Sequence, residues 1–390
     1  MLFSDHGLSA AQISTLFIIW STTAFLLEVP SGALADVFSR RKLLVLGALI
    51  GGLGYVAWIA LPSYAGFAAG FVLWGVSSAL ISGTFEAFVY DELAARGASD
   101  RYAGLIGRAK SSALVMNLAA TALAAPLYQL GGYPLAGAVS VCSCLAQAAV
   151  ALSLPEAPPV ATADETEEVE PGAGGGPLGR YVAMLRSGLS EVATSRVVRK
   201  AVALVALLGG FLAFDEYFPL LAREIGASTT LVPVLIAGTV AAQAIGGALA
   251  GPAYRLRGRL LAAGLGLSAG LLAWGALSGT AHGFVPIAVG YGVMQLVIIV
   301  AEARLQDAIT GPARATVTSV SGLFAEVFAV AVYAGFALGS FWFALPALVA
   351  GLTVPLFLTA LITPSALPPP APQEESSADA ASVGEEGVDG

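Results

Sequence analysis

The residues best placed to do chemistry are carboxylates embedded in long apolar runs. Glu326 lies about twelve residues into the run Ala315–Gly339, which at about 1.5 Å per helical residue is ~18 Å deep, near mid-membrane. An ionised group at the centre of a bilayer costs at least ~2.5 kcal/mol, so one that persists there is a candidate for binding and releasing a proton or for facing a polar solute. The alternative is a neutral carboxyl bonded to nearby backbone. Glu28 lies two turns before Asp36 and is either a coupling acid or a structural partner of the charges that follow. Asp215 and Glu216 are adjacent in Phe-Asp-Glu-Tyr-Phe-Pro, near the end of an apolar run. They read as substrate recognition at one mouth, or as a helix end approaching water. Glu86 and Glu302 are each followed by an aspartate, Asp91 and Asp307, at i+5. That spacing is about 140° around a helix, so the members of a pair do not share a face. The glutamates are candidates to line a mouth, and the aspartates to meet cations at the membrane surface. Arg108 and Lys110 have stems long enough to snorkel and are candidate partners for Glu86 or Asp91.

Other chemistries find no support. There is no phosphate-binding Gly-Lys-Ser/Thr loop and no His-Glu-x-x-His metal pattern. The only histidines, His6 and His282, fall between apolar runs. Cys142 and Cys144 lie inside one apolar run, where small packing residues are the simpler reading than a metal or redox pair. The expectation is a protein that is not an enzyme and holds no metal or cofactor.

Those acids must be positioned by helices. Hydrophobic residues make up 57% of the chain and charged residues 11%, and the mean hydropathy is +0.82. So little polar surface cannot enclose a soluble globule, but a bilayer absorbs the excess. Eleven runs are long enough to span one. In the first part they are Gln12–Ala35, Leu43–Leu61, Tyr64–Tyr90, Ala103–Leu130 and Pro134–Leu154. In the second they are Val197–Ala222, Thr230–Ala253, Leu260–Ser278, Phe284–Ile309, Ala315–Gly339 and Phe341–Ile362. The domains follow: a bundle over 1–154, a linker over 155–196, a bundle over 197–363 and a disordered acidic tail over 364–390. The net charge of −8 owes much to Asp164 to Glu170 and Glu374 to Asp389, which contain no Lys or Arg. These are solvated segments, and nothing points to nucleic acid. Leu178 to Leu189 reads as a short amphipathic stretch.

If the runs alternate in direction, every Lys and Arg falls on one side except Arg223. By the positive-inside rule that side is cytoplasmic. One missed span would scramble this asymmetry, so it also supports the span count.

The halves echo each other. Gly32-Ala-Leu-Ala-Asp36 recurs as Gly247-Ala-Leu-Ala-Gly251, an offset of 215, and Glu86-Ala…Asp91 recurs as Glu302-Ala…Asp307, an offset of 216. Parallel repeats about an axis normal to the membrane are a known transporter architecture. The second half has six runs and the first has five. The expectation is therefore an all-α membrane protein of two pseudo-symmetric six-helix bundles, with the first helix largely missing and the native start upstream of Met1. A genuine eleven-helix protein is the alternative.

Gly32-Ala-Leu-Ala-Asp36-Val-Phe-Ser-Arg40-Arg41-Lys42 resembles the loop signature of the major facilitator superfamily, G-x-L-x-D-x-x-G-R-R/K. Ser39 replaces its second glycine, a departure expected to cost the turn some ease. The preceding Glu28-Val-Pro-Ser-Gly32 is similar to a bacterial efflux-like branch. The resemblance implies a gating motif in which Gly32, Asp36, Arg40 and Arg41 latch the outward-open state, with Asp36 paired to Arg40 or Arg41 or facing a helix N-terminus. The family's antiporter pattern G-P-x-x-G-G is faint, since Pro126 is followed only late by Gly131-Gly132.

What the resemblance implies is a monomeric multi-pass secondary transporter of a bacterial cytoplasmic membrane, exporting an amphipathic small molecule against inward proton flow by alternating access. Glu326 or Glu28 would carry the proton. Symport of a small metabolite, or a degenerate membrane protein that transports nothing, are the alternatives.

Overall fold

The computed structural model describes residues 1–98, 101–155, 195–309 and 314–370; within its helices some side chains, those of Glu28, Gly32, Asp36 and Lys110 among them, lie outside the description. The linker expected to be amphipathic and both acidic segments also lie outside the described residues.

In a bilayer every backbone N–H and C=O must be satisfied within its own segment, so apolar runs of this length have one answer, the helix. The helices are α1 (Leu2–Asp5), α2 (Ala10–Val37), α3 (Arg40–Ala60), α4 (Tyr64–Ala94), α5 (Tyr102–Ser153), α6 (Arg196–Gly210), α7 (Phe218–Glu224), α8 (Leu231–Ala253), α9 (Gly258–Leu277), α10 (Phe284–Ala308), α11 (Arg314–Gly339) and α12 (Leu345–Ala366). Among the described residues, ten helical segments are long and apolar enough to cross a membrane. Serines open several of them. Ser9 and Gln12 form a reciprocal capping box at α2, and Ser39, Ser63 and Ser195 accept from the third residue of α3, α4 and α6. Each satisfies a backbone donor left over at a helix start.

The 52 residues of α5 are two crossings rather than one. Ile106 and Ala151 share one hydrophobic cluster with Leu44 and Phe88. On a straight helix they would stand ~68 Å apart. The chain folds back at Gly131 and Gly132, where the helical dihedrals fail and Gly132 takes φ 62°, ψ −157°. Only glycine adopts that region readily. Pro126 lies about one turn before this bend, inside the first leg. The first half thus has five crossings (α2, α3, α4 and the two legs of α5), as the sequence indicates.

The pseudo-symmetry of the sequence is repeated in the packing. Helix α2 packs on α4 as α8 packs on α10; α3 on α4 as α9 on α10; α3 on the second leg of α5 as α9 on α12. Buried hydroxyls tie the same helix pair in each half. Ser77 donates to Gly47 O at 2.8 Å, and Ser268 to Gly290 O at 2.7 Å. The exception is α6, which packs on α11, α10 and α12 and has no counterpart among the described residues of the first half. Val115, Met116, Leu123 and Leu130 on the first leg of α5 are exposed. Helix α4 and the second leg of α5 help line a cavity of about 440 Å³ with Trp20, Tyr55, Trp74 and Gln147.

Seen along the helices, the molecule has two ends. Arg40, Arg41, Lys200 and Arg304 lie at one, the basic end, and are bonded to the neighbouring helix termini there. Arg223 lies at the other, the far end, bonded to Asp5. Trp274 and Trp342 are exposed near the far end, as aromatic anchors of a membrane surface are.

Candidate gating and coupling site

At the basic end, the motif loop is a short turn between α2 and α3. Ser39 has φ −54°, ψ 118° and accepts from Lys42 N at 3.2 Å. No left-handed residue is needed here, so the serine costs the turn nothing and caps α3, contrary to expectation. Arg40 reaches across to α4. It forms an ion pair with Asp91 at the end of α4 and donates to Ala87 O at 2.9 Å. Arg41 donates to Leu154 O, at the end of α5, at 3.1 Å. The two arginines therefore staple the start of α3 to the ends of α4 and α5. Glu28, Gly32 and Asp36 fall within α2, and their side chains lie outside the described residues.

The second half closes the same end differently. Asp307 accepts from the hydroxyl of Tyr254. Arg304 is 2% exposed. It donates to the carbonyls of Tyr254, Leu256 (2.6 Å) and Pro368 (3.2 Å), with its guanidinium 5.6 Å from the Tyr254 ring centroid. Its five N–H groups suit several carbonyls at once. The reason for the difference is positional. Arg304 sits one turn before Asp307, on the side of α10 that faces the α8–α9 turn. Arg108 is exposed, while Asp91 is occupied by Arg40. Lys110 lies outside the description. Glu86 and Glu302 are both exposed, so the repeat places them alike.

The two halves meet through α2 against α11 and α5 against α8. Along α2 the crossing contacts run from the far end toward the middle. Ser14 bonds the Tyr217 hydroxyl at 2.7 Å, Phe17 packs edge-on to Tyr217, and Ser21 donates to Glu326 Oε2 at 2.5 Å. Tyr217 in turn stacks on Phe336 with centroids 3.6 Å apart. One hydrophobic core is continuous across the halves here: Ile13, Leu16, Phe17, Phe67 and Phe71 join the core of the second half. The clusters nearer the basic end, around Leu44 and Phe88 and around Leu43 and Leu80, belong to the first half alone.

Asp215 and Glu216 lie where α6 gives way to a 3-10 segment, Phe211–Tyr217. With about three residues per turn, side chains at i and i+3 eclipse. Phe211, Phe214 and Tyr217 therefore form one stripe, each 0% exposed, while Asp215 is turned out of it and exposed. Tyr291 supports the break by donating to Leu212 O at 3.0 Å. The structure brings Asp215 and Glu216 beside Tyr217 and Tyr291 and sets Glu326 on a different helix. Tyr333 of α11 lies within electrostatic reach of Asp215, Glu216 and Glu326 alike.

Sequence reasoning missed Ser14, Ser21 and Tyr217, which carry the crossing bonds. The Phe-x-x-Phe-x-x-Tyr spacing was the visible signal for the last. The two serines give none, because a hydroxyl in an apolar helix satisfies itself as readily on its own backbone. Among the described residues no group of three potential metal ligands gathers.

A family model described as Major Facilitator Superfamily matches residues 1–332. Comparison with curated protein sequences finds no match. Among solved structures, a variant of the nucleoside transporter NupG is similar at a TM-score of 0.71 and 12% identity, over 93% of this chain and 93% of that one. A bacterial homolog of the human lysosomal transporter Spinster, inward-facing and unoccupied, gives 0.67 at 16% identity, over 92% and 88%. A D-xylose–proton symporter gives 0.63 at 13%, over 94% and 90%. Identities this low show a shared fold.

Proposed function

The chain belongs to the major facilitator superfamily, and on that premise we propose that this multi-pass secondary transporter couples inward proton flow to export of an amphipathic small molecule. The basic end is cytoplasmic by the positive-inside rule. The core shared by the halves then seals the outer side, and the conformation is the inward-facing one, as in the Spinster homolog.

The observation that carries the reading is the bond from Ser21 to Glu326 across the halves. It is a carboxylate, midway along α11, at a contact that must break for the outer side to open. A charge-assisted bond is about twice as strong as a neutral one. Deprotonated, Glu326 holds the outer side shut and keeps the empty carrier from slipping. Binding of substrate from the inside offsets that hold, and the halves rock. Outside, Glu326 takes up a proton, its grip on Ser21 weakens to a neutral bond, and the proton-loaded carrier returns to release the proton inward. Export rather than import rests on the Glu28-Val-Pro-Ser-Gly32 resemblance and on a seam of Phe, Tyr and aliphatic side chains that suits a greasy solute. The bacterial cytoplasmic membrane and the monomeric state follow from the same resemblance.

The test uses energised inside-out vesicles and a pH-sensitive dye. A lipophilic cation is expected to dissipate the proton gradient in vesicles with the protein, and Glu326→Gln to abolish that effect. Dissipation by a sugar or nucleoside loaded into the vesicle lumen, with no effect of lipophilic cations added outside, would favour uptake by symport. No response to any compound, from inserted and folded protein, would favour a protein that transports nothing.

A further inference from the structure

Arg223 is the one Lys or Arg that the alternating topology places on the far side, and the structure gives it a partner in the other half. Its Nη2 donates to Asp5 Oδ1 at 3.1 Å. Asp5 belongs to α1, which leads into α2, so the pair bridges the first half to α7 of the second. Both members are held from behind. The Tyr133 hydroxyl, just past the Gly131–Gly132 bend, donates to Asp5 Oδ2. Arg223 Nη1 donates to Ala227 O and Thr229 Oγ1, each at 3.3 Å. Three separate elements thus converge on one ion pair: α1, the α5 hairpin tip and the turn after α7. The pair is not sealed in. Asp5 and Arg223 line a cavity of about 580 Å³ at the far end, with Ser4, Ile13, Leu220 and Ser228.

We propose that Asp5 and Arg223 are positioning residues of the transport cycle, forming with Tyr133 a clasp that selects the state closed at the far end. The inference rests on the alternating-access reading above. An ion pair in contact with water is weak, and that is what a clasp in a two-state carrier requires. It must bias an equilibrium and still open every cycle. The preset geometry of Asp5 and Arg223 lowers the ordering cost of re-forming the pair. Separation of the halves at the far end breaks this pair together with the Ser14–Tyr217 bond. Tyr133 moves with Asp5, because both belong to the first half.

The test is double electron–electron resonance on the full chain in lipid nanodiscs, after Cys142 and Cys144 are replaced by serine. Spin labels at Gln129→Cys and Ser228→Cys report the far end. Labels at Ala95→Cys and Arg257→Cys report the basic end. Asp5→Asn and Arg223→Gln should each raise the far-end-open population up to about fivefold, the equivalent of about 1 kcal/mol. Tyr133→Phe should raise it less. The charge-reversed double variant Asp5→Arg/Arg223→Asp should return it toward the starting value, which a purely structural role would not do. Unchanged populations in both single variants would overturn the clasp. So would single-variant shifts that the reversed pair does not correct. If the far-end and basic-end distances never change in opposite directions in any variant, alternating access itself fails, and the clasp falls with it.

Discussion

Arg304 carries its charge into the protein rather than to the surface. Three carbonyls that close the basic end of the second half, those of Tyr254, Leu256 and Pro368, converge on its guanidinium. Two of them belong to the turn after α8 and one to the chain leaving α12, so one side chain fixes two connections. Leucine at this site would leave buried carbonyls without donors, at about 1–3 kcal/mol each. Arg304→Leu is therefore expected to lower the thermal unfolding midpoint in detergent by many degrees. Arg304→Lys should recover only a small part, because a single ammonium cannot fork to carbonyls on two segments. Equal midpoints for the lysine variant and the parent would show that charge alone suffices. At the same scale, Arg40 and Asp91 are half-buried, and Arg40→Ala is expected to cost more than the ~1 kcal/mol of a surface pair, because the bond to Ala87 O is lost as well.

Among the elements, the α5 hairpin and the broken α6–α7 crossing do what regular helices cannot. The hairpin depends on Gly132 at φ 62°, ψ −157°. A Cβ there costs about 1–3 kcal/mol of backbone strain. Gly132→Ala should accordingly reduce the yield of folded protein and speed protease cleavage near the tip, although a methyl there meets nothing closer than Pro134 Cδ at 3.6 Å. Parental yield and cleavage in that variant would refute the assignment. Close crossing is a second element-scale demand. A methyl on Gly246 of α8 would overlap the Gly292 carbonyl of α10, so these helices approach backbone to backbone, as small residues permit in membranes where no hydrophobic effect drives association.

For the whole molecule, what matters is how the halves are joined. A continuous core and the bonds Ser14–Tyr217 and Ser21–Glu326 lie along the far half of the seam. Nearer the basic end the clusters stay within the first half. On the alternating-access reading, the halves must therefore trade one set of contacts for another. Tyr217→Phe removes the Ser14 bond and keeps the ring against Phe336. The loss of about 1 kcal/mol should shift the far-end-open population about fivefold, read with the same spin labels. No shift would mean that the stacked ring, and not the hydroxyl, holds the seam.

Much of this was determined by the chain's linear pattern. Hydropathy and run length set the number and type of the crossings, because a bilayer leaves the backbone no alternative to the helix. The asymmetric placement of Lys and Arg marked one end of the bundle as the basic one. The offset of 215 to 216 residues set the relation of the halves, and the packing of α2 on α4 and of α8 on α10 repeats it. Tertiary structure alone decided which polar groups meet. Arg40 and Arg304 are both basic residues at the same end, yet one joins a carboxylate and the other is buried on carbonyls. Ser21 finds Glu326 from 305 positions away, and Asp5 finds Arg223 from 218. Helical periodicity reports the face a residue presents. Its partner depends on the register and rotation of another helix, which side-chain packing sets and local sequence does not encode.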